Sequence, residues 1–68
     1  MPNVSLGRKL QNFRVIEGLT QRQFAEKTKL TQAAISQFES DKRVPSGESL
    51  RKMAQGLGIS ADKLLAED

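Results

Sequence analysis

At 68 residues the chain has room for one hydrophobic core and no second domain, because a chain this short buries only about 60% of its unfolded surface. It contains neither Cys nor His, which excludes disulfide staples and the usual Cys/His zinc sites, so helix packing must supply the stability. The net charge of +3 is modest but unevenly placed.

Residues 1–43 carry Arg8, Lys9, Arg14, Arg22, Lys27, Lys29, Lys42 and Arg43 against Glu17, Glu26, Glu39 and Asp41, while the remainder is slightly acidic. Such asymmetry suits phosphate or acidic partners, and it is equally that of a solvated face. No apolar run approaches the roughly 20 residues of a membrane span, and Met1-Pro2-Asn3-Val4 lacks the features of a signal peptide. The expectation is a cytoplasmic protein with no membrane partner.

Apolar residues recur at helical spacing throughout, and five short helices are expected. Ser5 caps the first, in which Leu6, Leu10 and Phe13 share one face; Val15 and Ile16 lie off that stripe, and Gly18 ends the helix. Thr20 with Gln23 three residues later has the form of a capping box and opens a second helix that stops near Thr28. Thr31 caps a third, whose inward positions are Ala34, Ile35 and Phe38 and whose opposite side carries Gln32, Ala33, Ser36 and Gln37.

The pattern breaks from Asp41 to Pro45. Ser46 then caps a fourth helix burying Leu50, Met53, Ala54 and Leu57, with Gly58 as its stop, and Ser60 caps a last short helix containing Leu64 and Leu65. The expected fold class is all-α, a single compact domain over residues 1–68 built of five helices with short connections.

The segment from Gln21 to Ser40 resembles the helix-turn-helix of phage repressors and Cro proteins, and around it the Gly18-Leu19-Thr20-Gln21 entry, the Ala-Ile-Ser-Gln core and the terminal Leu-Gly-Ile-Ser…Leu-Leu match in order. The resemblance is to the lambda-repressor-like, or Xre, family and covers nearly the whole chain. It implies a five-helix DNA-binding domain in which Ala25, Ile35 and Phe38 are structural. Lys29 is a departure, because the family commonly places Gly there; a lysine that keeps a left-handed backbone costs on the order of 1 kcal/mol.

The exposed side of the third helix has no charged residue between Thr31 and Phe38. Gln is an ordinary helix former on a solvated face, but amides also pair with adenine edges and an alanine methyl touches thymine. The resemblance assigns base reading to Gln32, Ala33, Ser36 and Gln37. It assigns phosphate contacts to Gln21, Thr31, Ser40, Lys42 and Arg43, with a solvated charged turn as the alternative for the last three. It also pairs Arg14 with Glu39, a contact that no local spacing requires, and places a weak dimer face at Val44, Ile59 and Leu65.

The implied partner is a double-stranded DNA operator of two-fold symmetry, bound by a homodimer that DNA strengthens, in bacterial or phage transcription. The expected role is a repressor, whether the chain is whole or part of a longer protein. No enzyme activity and no cofactor are expected, because the scattered carboxylates show no spacing that builds a site. The rival function is protein docking by the same fold, as in an antitoxin or adaptor. Against it stands the lack of large apolar anchors on the exposed side of the third helix.

Overall fold

The computed structural model describes residues 4–66, and among these every regular element is helical. Five helices follow in chain order: α1 (Leu6–Ile16), α2 (Gln21–Thr28), α3 (Gln32–Glu39), α4 (Gly47–Leu57) and α5 (Ala61–Leu65). Each begins at a hydroxyl cap. Ser5, Thr20, Thr31, Ser46 and Ser60 have extended backbones and accept a bond from the N–H three residues on, at 3.0 to 3.2 Å. A cap of this kind contributes about 1 kcal/mol, so the series defines where helices of so few residues start. At Thr20 the bond is returned, since its N–H donates to the Gln23 side-chain oxygen at 2.9 Å, closing the capping box.

The helix ends use left-handed residues. Gly58 closes α4 at φ 71°, and Lys29 closes α2 at φ 61° although it is not glycine. The turn between α2 and α3 therefore keeps the shape that a glycine would have adopted freely, and the lysine bears the strain.

Leu10, Phe24, Ala25, Ile35, Phe38, Met53, Ala54, Leu57 and Leu64 form the buried core, drawn from all five helices. Leu6, Phe13, Leu30, Ala34, Leu50 and Ile59 pack half-buried around it. The helices close a ring in which α3 lies between α1 and α2, α2 packs on α4, and α5 joins α4 to α1. Thus α3 is supported from two sides and has one side open. Two contacts needed small residues that periodicity did not single out. A Cβ on Gly56 would stand 2.8 Å from the Thr28 methyl, so its absence lets α4 approach α2. Gly7 likewise lies flush against the end of α3, where a Cβ would overlap the Phe38 carbonyl oxygen.

Candidate nucleic-acid interface

The open side of α3 carries Gln32, Ala33, Ser36 and Gln37, all exposed, while Ile35 and Phe38 are buried and Ala34 is half-buried. At about 100° per residue these four positions fall within roughly 140° of arc, so one helix face presents two amides, a hydroxyl and a methyl together. Among the described residues none of them has a side-chain bonding partner, and their polar groups face solvent. The face holds no fixed charge. The one ionisable residue of α3, Glu39, is turned the other way.

Glu39 is the centre of a network that joins three helices. Arg14 Nε donates to its Oε2 at 2.6 Å and Nη2 to its Oε1 at 3.1 Å, a two-point pairing of guanidinium and carboxylate. The side chains are only 12% and 5% exposed, so water competes little for the pair. Arg14 Nη1 also donates to the Leu19 carbonyl at 2.7 Å, and Gln21 Nε2 donates to Glu39 Oε1 at 3.1 Å. Arg14 of α1 and Gln21 at the head of α2 thereby hold the last residue of α3. The same bonds offset a negative charge that would otherwise oppose an anionic ligand close to the open face.

The residues expected around phosphate are not equally disposed. Gln21 commits one amide N–H to Glu39 and keeps another, at the start of α2. Thr31 accepts from the Ala34 N–H and its own hydroxyl proton is left for an outside acceptor. Ser40 is different: its hydroxyl donates to the Gln37 carbonyl at 3.3 Å and its N–H to Ser36 at 3.1 Å, so both donors are engaged within the chain. Lys42 is exposed, and the Arg43 guanidinium stands 5.6 Å from the centre of the Phe38 ring. That contact sets the exposed Arg43 guanidinium beside α3.

Of the residues expected at a dimer face, Val44 is 85% and Leu65 55% exposed, but Ile59 is half-buried against the core. Exposed apolar surface is not confined to them, since Val15 and Ile16 on α1 are also open, the latter at 75%. Among the described residues no group of His, Cys, Asp or Glu is arranged to hold a metal ion, and no helix is long and apolar enough to cross a membrane.

Two short helices joined by a left-handed turn, the second braced from behind and open in front, define a helix-turn-helix domain of the lambda-repressor-like kind. Residues 10–64 match the family model HTH_3, helix-turn-helix, and the chain belongs to that family. It is 40% identical over 58 residues to the HTH-type transcriptional activator BcrR of Enterococcus faecalis, covering 85% of this chain and 28% of BcrR. It is 35% identical over 65 residues to the HTH-type transcriptional regulator ImmR of Bacillus subtilis, covering 96% of this chain and 51% of ImmR. The chain therefore spans about a quarter of one of these relatives and about half of the other. Among solved structures, the P22 c2 repressor bound to a synthetic operator superposes with a TM-score of 0.87 at 28% identity, covering 96% of this chain and 98% of that one.

The sequence reading missed Asp41 and Gly7. Gly7 N–H donates to the Asp41 carboxylate at 3.0 Å across 34 positions, and Asp41 holds a left-handed backbone at φ 61°. Nothing in the local pattern signals this bond, because each partner alone reads as an ordinary helix or loop residue.

Proposed function

We propose that this domain regulates transcription by binding double-stranded DNA sequence-specifically, with α3 in the major groove. The observation that carries the reading is the charge-free open face of Gln32, Ala33, Ser36 and Gln37 on a helix whose only acid is turned inward and paired. Glutamine amides donate and accept in the geometry that adenine N6 and N7 require, and the Ala33 methyl suits the thymine methyl. Thr31, Gln21 and Lys42 flank that face and supply neutral and cationic donors to phosphate, which fixes register while the base contacts discriminate. The relatives named as transcriptional regulators and the neighbour solved on an operator support this reading.

One helix of eight residues reads too few base pairs to select a site in a genome, so the domain binds as a dimer on a two-fold operator. Val44 and Leu65 supply exposed apolar surface for that contact, too little for a tight dimer in the absence of DNA. Occupying an operator is the simplest action of such a domain, and we assign it repression in a bacterial cytoplasm. BcrR, named as an activator, extends well beyond the shared region, so activation there has other chain to draw on.

The test is selection of bound duplexes from a random DNA pool, followed by gel shifts at two salt concentrations and a footprint. The expected result is a palindromic site, binding that weakens steeply with salt, and two protected half-sites. Absence of salt-sensitive binding to any duplex would remove this function and favour docking to a protein.

A further inference from the structure

We propose that Asp41 is a positioning residue for the DNA backbone contacts of the α3–α4 loop, and the proposal rests on the DNA-binding reading above. Its carboxylate completes the N-terminal cap of α1 through the Gly7 N–H, and that latch holds Lys42 and Arg43 in place beside the recognition helix.

An acid immediately before two cationic residues is a liability in a loop that meets phosphate, because it repels the ligand they attract. The structure shows where that charge goes. Helix α1 has no acidic residue in its first turn, and the Ser5 side chain accepts from the Arg8 N–H. The N–H of Gly7, at the second helical position, remains an open donor at the positive end of the helix dipole. Asp41 fills that vacancy from 34 positions away. The Asp41 carboxylate, on an exposed residue, is thus partnered by an N–H and a favourable dipole and turned toward α1, beside the cationic Lys42 and Arg43.

Two further features show that the latch constrains the loop. Asp41 holds φ 61°, a conformation that few residues other than glycine adopt and that Asp and Asn tolerate best. Gly7 has no side chain where a Cβ would come within 2.7 Å of both the Asp41 carboxylate and the Glu39 carbonyl, so only glycine lets the loop seat on α1. The N–H groups of Lys42 and Arg43 both donate to the Gln37 carbonyl, at 3.0 and 3.3 Å. The loop is therefore tied to the last turn of α3, where helices fray, and Asp41 adds the tie to a second helix.

The experiment measures binding to the duplex selected from the random pool, by fluorescence anisotropy over a range of salt. Four variants are compared with the parent: Asp41→Gly, Asp41→Asn, Lys42→Ala, and Asp41→Gly with Lys42→Ala. Asp41→Gly keeps the left-handed backbone without steric strain while losing the carboxylate, and it is expected to weaken binding on the order of tenfold and lower the salt slope by about one. Asp41→Asn retains an acceptor suited to a helix N-terminus and stays within about threefold of the parent. Lys42→Ala costs less in the Asp41→Gly background than alone, because the latch that placed Lys42 is already gone.

Simple electrostatics predicts the opposite sign, since removing an acid near phosphate tightens binding. Asp41→Gly binding as tightly as the parent, or more tightly, therefore overturns the proposal while leaving the DNA-binding reading intact. Failure of the parent itself to bind any duplex overturns both. A readout that needs no variant follows from reciprocity: if the latch favours DNA, then DNA must favour the latch, and amide exchange at Gly7 slows in the complex. Unchanged exchange at Gly7 on saturation with the duplex also overturns it.

Discussion

The two ends of α3 are held by different kinds of contact. At its start, Thr31 caps the helix from within the same segment, and the preceding turn is closed by Lys29 through bonds to α2 carbonyls one turn back. At its end, the partners come from elsewhere: Arg14 of α1 and Gln21 of α2 on the Glu39 side chain, and Gly7 of α1 against the Phe38 carbonyl and the Asp41 carboxylate. The first end is set by neighbours three residues apart and the second by residues 18 to 34 positions away. The lesson is that local bonds suffice to start the recognition helix, whereas its last turn is anchored by residues remote in sequence.

The sharpest way to break this contrast is at the anchored end. Arg14→Ala or Glu39→Ala leaves the other charge with few partners in a nearly buried setting, and each is expected to destabilise the domain by about 2–4 kcal/mol. The double mutant should lose less than the sum, and thermal melts of the four proteins measure the coupling. Strictly additive losses would mean that the pair does not brace α3.

On the open face, Gln32→Ala and Gln37→Ala should each weaken binding to the preferred duplex by about 1–3 kcal/mol and relax discrimination at one or two base pairs, while melting points barely move. Equal loss on every sequence would deny these amides a reading role.

At the locally held end, Thr31→Ala should cost about 1 kcal/mol of stability. Because Thr31 shares no partner with Arg14, combining it with Arg14→Ala should be additive within about 0.5 kcal/mol. Coupling larger than that in denaturation curves would erase the distinction between the two ends. The smallest effect is expected at Lys29→Gly, which relieves the left-handed strain but frees the unfolded chain, for a net gain below about 1 kcal/mol in melting experiments.

Much of the domain was legible without coordinates. The five hydroxyl caps, the capping box at Thr20, the glycine stop at Gly58 and the inward face of Ile35 and Phe38 all stand where spacing placed them. The outward face of Gln32, Ala33, Ser36 and Gln37 followed from the same period. Arg14 and Glu39 were paired only by family resemblance, and the structure brings them into two-point contact.

Other features escaped. Ile59 was expected at an open dimer face and is half-buried against the core. The internal bonds of the exposed Ser40, whose donors meet carbonyls of α3, and the contact of Arg43 with Phe38 had no signal in the spacing.

The division has a physical cause. A cap or a helical face depends on residues three or four apart, whose relative positions the helix screw alone dictates, so the sequence by itself determined them. The Gly7–Asp41 latch, the Gln21–Glu39 bond and the station of Arg43 depend on how five helices are inclined against one another. That inclination comes from the joint burial of core side chains from every helix, a property of the packed whole that no spacing along the chain records, and only the tertiary structure decided it.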